Sequence, residues 1–118
     1  TAEIYRQVEK VEAVQEAVAI GQNWQDDVRV VLFVVLKPGY RLDATLEQEI
    51  RQTIRSNTTP RHVPSKIIQV ADIPRTRTGK LVELAIRSTV EGQQVKNLDA
   101  LANPEALALY RDLPQLTY

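Results

Sequence analysis

The chain has no cysteine and no methionine, and one histidine among its 118 residues. Without cysteine there can be no disulfide, no thiol nucleophile and no zinc-thiolate site. A single histidine excludes a histidine-rich metal centre. An excess of either charge is missing too: 15 basic residues balance 15 acidic ones. A module that grips nucleic acid through backbone phosphates normally carries a basic excess, so no nucleic-acid partner is expected. The longest apolar run, residues 28–36, is interrupted by Arg29 and falls far short of the ~20 residues of a membrane helix. No membrane partner is expected. The N-terminus lacks the basic-then-apolar layout of a secretory signal, and a cytoplasmic location is the expectation. The opening Thr1-Ala2-Glu3-Ile4-Tyr5 is already helical in pattern and has no initiator methionine. A piece of something longer is therefore expected.

What is present is ordinary for a folded domain: 43% hydrophobic and 25% charged residues in a length that suits one compact unit. Thr1 can cap a first helix whose apolar face is Ile4, Val8 and Val11. Residues 14–20 read as a strand ending at Gly21, and residues 22–27 as a polar loop. Residues 28–36, rich in β-branched side chains, read as a central strand buried on both faces. Lys37-Pro38-Gly39-Tyr40 has Pro and Gly where a type II turn wants them. Thr45 and Gln48 form a candidate capping box for a helix with the stripe Leu46, Ile50 and Ile54, ending near Asn57. A stiff loop with two prolines, residues 59–64, leads to a short strand at 67–70. Val82, Ile86 and Val90 mark another helix, with Glu83 and Arg87 spaced as an i, i+4 pair and Gly92 as its stop. The tail is mostly loop, with one short helix at 104–110. The order αββαβα predicts an α+β fold: a sheet of about three strands flanked by helices. Residues 1–92 form the expected domain, and residues 93–118 an extension packing on it.

Chemistry concentrates in Pro74-Arg75-Thr76-Arg77-Thr78-Gly79-Lys80. Cations, hydroxyl donors and a permissive glycine suit an oxyanion, a phosphate or a carboxylate. The P-loop pattern fails, because Leu81 stands where Ser or Thr should follow the lysine and Pro74 where the first glycine should be. Two readings of Lys80 stay open: a solvated lysine on a turn, or a lysine presented to an anion, with Thr78 and Gly79 beside it. Arg55 sits near a helix C-terminus, where a cation is favoured, and reads either as solvated or as anion-binding. Arg61, His62 and Lys66 could flank an anion or simply face water. Trp24 could dock a partner or pack on its own domain. No nucleophile–base pair is legible. By itself the chain can supply a lysine and a few anion-binding groups to a site completed elsewhere.

The segment Asp72-Ile73-Pro74-Arg75-Thr76-Arg77-Thr78-Gly79-Lys80 resembles the last core motif of the adenylate-forming enzymes, the acyl-CoA synthetases and their relatives. Thr1-Ala2-Glu3-Ile4 resembles the end of an earlier motif of that family, just past an interdomain hinge. The order of strands and helices between them is that of the family's small C-terminal domain. The tail, residues 95–105, and Pro60-Arg61-His62-Val63-Pro64 resemble the acetoacetyl-CoA synthetase branch. The resemblance implies a two-step reaction. A carboxylic acid, acetoacetate in that branch, is activated by ATP as an acyl-adenylate and then transferred to coenzyme A. It implies that a large N-terminal domain, the main partner of this chain, holds ATP, Mg²⁺ and the acyl pocket. It implies too that the small domain closes over the large one for adenylation and then rotates for thioester formation. Lys80 matches the adenylation lysine, and Arg55 lines up with an arginine that contacts coenzyme A phosphate in short-chain relatives. Alone, such a domain is expected to be inactive. Two other readings remain: the same domain from an acetyl- or propionyl-CoA synthetase, and a binding module that kept the fold and lost the chemistry.

Overall fold

Residues 30–36 (Val-Val-Leu-Phe-Val-Val-Leu) send apolar side chains to both sides of a strand, so the strand needs cover on both faces. The structure, a computed structural model, supplies that cover. It describes residues 2–75, 79–95 and 98–117, with the backbone alone for 79–81 and 99. The elements are α1 (Ala2–Val8), β1 (Val14–Trp24), β2 (Asp27–Leu36), α2 (Ala44–Asn57), β3 (Lys66–Gln69) and α3 (Gly79–Val90). Short 3-10 turns lie at Pro60–His62, Leu98–Ala100, Pro104–Tyr110 and Pro114–Leu116. The three strands form one sheet in the order β1-β2-β3, with β1 antiparallel and β3 parallel to the central β2. This is the expected α+β architecture.

The two faces of β2 sort the helices. Leu32 and Val34 point to the face covered by α1 and α2, through Ile4, Val8, Ile50 and Ile54. Val31 and Phe33 point to the face covered by α3 and the tail, through Val82, Ile86, Leu107 and Tyr110. All four β2 side chains are fully buried at 0% exposure, as a double-faced central strand requires. Tyr110 is equally buried and meets Phe33 edge-on, with ring centroids 4.8 Å apart. The residues after Gly92 thus contribute directly to one of the two cores.

A β-bulge sets which side of β1 faces which core. Val14 pairs with Leu36 but Glu16 pairs with Val35, leaving Gln15 as the extra residue. Val14 therefore joins the α2 side, while Val18 and Ile20 join the α3 side. Glu16, two residues before Val18, is turned to the α3 side as well, the re-aiming that bulges provide.

Several boundaries differ from the expectation. β1 does not stop at Gly21 but runs to Trp24, and the expected loop 22–27 shrinks to a tight turn at Gln25 and Asp26, with φ of 49° and 63°. Two successive left-handed residues make the hairpin turn whose twist suits antiparallel strands. The polar residues that looked like loop satisfy one another across the strands. Gln22 accepts a hydrogen bond from Arg29 Nε (2.8 Å) and donates to the Leu116 carbonyl (3.1 Å). The cap of α2 is Asp43, whose Oδ1 accepts from Leu46 N at 2.8 Å, rather than Thr45. Arg87 pairs with Glu91 at 3.4 Å rather than with Glu83, which lies beside the Tyr5 hydroxyl. Thr1 is outside the described residues.

The expected turn at 37–40 is present, with Tyr40 N donating to Lys37 O (3.1 Å) and Gly39 at φ 89°. α3 stops at Gly92, φ 73°, through Gln93 N to Ser88 O (2.8 Å) and Gly92 N to Thr89 O (3.1 Å), the Schellman pattern. Among the described residues no helix is long and apolar enough to cross a membrane.

Candidate functional site

Gly79 and Lys80 are the first two residues of α3. The helix is fixed from Val82 onward, where Val82, Ala85 and Ile86 enter the core beneath it. Lys80 therefore stands two residues before Val82, the first core anchor seen on α3. Thr76, Arg77 and Thr78 lie outside the described residues.

Residues 72–75, immediately upstream, are held by a dense set of hydrogen bonds. The Asp72 carboxylate accepts from Ile73 N (3.0 Å), Arg75 Nη1 (3.2 Å) and Asn103 Nδ2 (2.9 Å). Its carbonyl accepts from the Tyr110 hydroxyl at 2.8 Å. Asn103 also donates to Ile73 O (3.1 Å) and accepts from Arg75 N (2.6 Å). Ala102 N donates to Arg75 O at 2.7 Å. The Arg75 guanidinium reaches β1, where Nη2 meets both carboxylate oxygens of Glu16 at 3.0 and 3.1 Å. Those hydrogen bonds, with the charges of Glu16 and Asp72, raise the Arg75 pKa above its ordinary value. Burial, with smaller contributions from Asp72 and Glu16, pushes the Tyr110 phenol up and keeps it a donor. Beside this cluster is a hollow of about 590 Å³, lined in part by Tyr5, Lys37, Ile73 and Arg75.

Arg55 lies elsewhere. It is in the last turn of α2, exposed, and lines a shallow hollow of about 500 Å³ with Glu47, Arg51 and Val63. Arg51 ties that helix to the proline-rich loop through Pro64 O (3.1 Å) and Ser65 O (3.2 Å). Since α2 and α3 cover opposite faces of the sheet, Arg55 and Lys80 are not brought together.

The remaining candidates divide simply. Arg61 is exposed, and His62 Nδ1 lies 3.5 Å from the Thr59 hydroxyl. Lys66 opens β3, half-buried. Trp24 packs on its own domain: the Arg29 guanidinium lies 4.0 Å above its ring, a cation–π contact. Glu16, Asn103 and Tyr110 were not foreseen as parts of the site. Asn103 is separated from Asp72 by 31 positions. Its one local signal is the Asn-Pro step that opens a turn. Among the described residues no group of three or more His, Cys, Asp or Glu side chains could hold a metal.

Residues 4–80, ending on the lysine itself, match the model of the AMP-binding enzyme C-terminal domain. The chain belongs to that family. The match ends in the first turn of α3, so the tail that holds residues 72–75 lies beyond the matched residues. Over 98% of its length the chain is 61% identical to an acetoacetyl-coenzyme A synthetase of Rhizobium meliloti, and spans 18% of that protein. It is 39% identical, again over 98%, to acetoacetyl-CoA synthetase of Rattus norvegicus, of which it spans 17%. Among solved structures, acetoacetyl-CoA synthetase from Streptomyces lividans superposes with a TM-score of 0.81 and 37% identity. That match covers 92% of this chain and 17% of the other. The chain thus spans about a sixth of the relatives it matches.

Proposed function

We propose that this chain is the mobile C-terminal domain of an AMP-forming ligase that activates acetoacetate with ATP and passes it to coenzyme A, with Lys80 serving the adenylation step. The observation that carries this reading is 61% identity, over 98% of the chain, to an acetoacetyl-coenzyme A synthetase. In adenylation a carboxylate oxygen of acetoacetate attacks the α-phosphorus of ATP, and the bond to the pyrophosphate oxygen breaks. In the second step the sulfur of coenzyme A attacks the acyl carbon, and AMP leaves with the bridging oxygen. Adenylation brings two anions together, so an ammonium aimed at the oxygens where charge accumulates lowers the barrier electrostatically. Lys80, with Thr78 and Gly79 beside it, is assigned that role. Arg55 is assigned to a coenzyme A phosphate, for which a guanidinium is well suited. ATP, Mg²⁺ and the acyl pocket are assigned to a larger N-terminal domain, the partner of this one. Residues 1–92 make the moving unit and 93–118 an extension travelling with it. A cytoplasmic setting fits these substrates.

The test is Lys80→Ala in the full-length enzyme, with the half-reactions assayed separately. Acetoacetate-dependent ATP–pyrophosphate exchange is expected to fall roughly 10²–10³-fold, the usual cost of removing one such donor. Thioester formation from supplied acetoacetyl-adenylate should largely persist. Unchanged exchange would sink the assignment.

A further inference from the structure

Lys80 lies between two fixed points. On one side Val82 anchors α3 in the core. On the other, residues 72–75 are bound to the tail, and three residues separate Arg75 from Gly79. A linker of that length spans roughly 3.3–3.6 Å per residue at most, so the place of Arg75 limits where the chain can enter α3. We propose that Asn103 is a positioning residue for adenylation: from the tail it locks residues 72–75 and so fixes where the lysine-bearing turn begins.

The geometry is specific to an amide at position 103. Its Oδ1 accepts from Arg75 N, while its Nδ2 donates to the Asp72 carboxylate and the Ile73 carbonyl. One side chain thus grips both sides of Pro74, whose own φ is fixed by its ring. The clamp rests on a rigid base, because Tyr110, which holds Asp72 O, is packed edge-on against Phe33. Glu16 braces the same segment from β1 through Arg75. The tail does not depend on Asn103 for its own fold. Asn103 is half-exposed, and Leu101, Ala106, Leu107 and Leu116 anchor the tail in the core. A change at Asn103 should therefore disturb placement more than stability.

This inference rests on the proposed role of Lys80, and the experiment separates the two. In the full-length enzyme, Asn103→Asp sets a carboxylate against Asp72 and removes the donor to Ile73 O. Misplacement of a reacting group by ~1 Å can cost 10²-fold. Acetoacetate-dependent ATP–pyrophosphate exchange is expected to drop about tenfold or more, with thioester formation from supplied adenylate within about twofold of wild type. The melting temperature should stay close to wild type. Adding Asp72→Asn restores a donor–acceptor pair with the roles exchanged, since the amide at 72 can donate to the carboxylate at 103 and still accept from Ile73 N. Recovery of exchange in the double variant is the expected signature of positioning. Three results each overturn the proposal: unchanged exchange in Asn103→Asp, equal loss of both half-reactions together with melting temperature, or no recovery in the pair. Should Asn103→Asp fail to fold, Tyr110→Phe removes only the hydroxyl on Asp72 O. A selective loss of exchange in it supports the clamp, and unchanged exchange overturns it. Lys80→Ala run in parallel tells the failures apart. If it spares exchange, the functional reading falls and the clamp with it. If it abolishes exchange while Asn103→Asp does not reduce it, the clamp alone falls.

Discussion

Tyr5 shows how single polar groups fasten this fold. Its hydroxyl accepts from Ala19 N at 3.0 Å and contacts Ala19 O at 3.4 Å, bridging α1 to β1. Burial pushes its phenol up to about 12, and the nearby Glu83 charge acts in the same direction against the opposing backbone hydrogen bond. Tyr110 is raised as well, first by burial. An unfolded tyrosine ionises near pH 10. A folded pKa above the unfolded one means that the stabilisation is fully present below pH ~10 and is lost as pH rises through the folded value. Urea unfolding of the chain should therefore give a stability nearly independent of these groups at pH 8–9.5, and a decline between pH ~10 and ~12. Tyr5→Phe should cost about 1 kcal/mol at pH 8, the net worth of a hydrogen bond, and should flatten the alkaline decline. A decline of unchanged steepness in Tyr5→Phe would rule out this residue as a source.

At the level of elements, the two readings of the start of α2 make opposite demands. Thr45 and Gln48 have the spacing of a capping box, but Asp43 is the residue whose carboxylate accepts from Leu46 N. Asp43→Ala should destabilise the chain by about 1 kcal/mol, within the ~0.5–2 kcal/mol range of N-caps, while Thr45→Ala should change little. Equal effects from both, measured by urea unfolding, would refute the assignment. The ambiguity is physical: Asp43 and Thr45 can both cap, and local spacing does not say which backbone turns first. Strong periodicity was easier to read. The double-faced β2 was visible as a nearly continuous β-branched run, and the stripes of α2 and α3 because burial on a 3.6-residue period leaves its mark in the sequence. The far half of the β1–β2 hairpin was not visible. Its polar side chains are satisfied by Gln22, Arg29 and the Leu116 carbonyl, 94 positions from Gln22. The site divides the same way. The lysine loop announces itself in seven consecutive residues, whereas Asn103 and Tyr110 join Asp72 only through the fold.

The whole molecule is a thin sheet with a different candidate chemistry on each side. Leu32 and Val34 carry α2, and Arg55 with it, on one face. Val31 and Phe33 carry α3, with Lys80 at its start, on the other. Layers pack about 10 Å apart, so the axes of α2 and α3 are separated by roughly 20 Å across the sheet. A ligand group bound at one helix is remote from the other, and a domain serving two reaction steps through both must present them in turn. The arrangement predicts separable defects. Arg55→Ala should weaken use of coenzyme A, raising its KM or slowing thioester formation about 10–100-fold, the worth of a hydrogen bond to a charged group. It should leave ATP–pyrophosphate exchange at the wild-type level. Because Arg55 is exposed, the defect should shrink at high salt, where the wild-type contact is itself screened. Combined with Lys80→Ala, each defect should appear undiminished in its own half-reaction, as expected for sites that share no partner. If Arg55→Ala instead lowers exchange as much as thioester formation, the two helices do not serve separate steps. The opposite-face arrangement would then be a feature of packing alone.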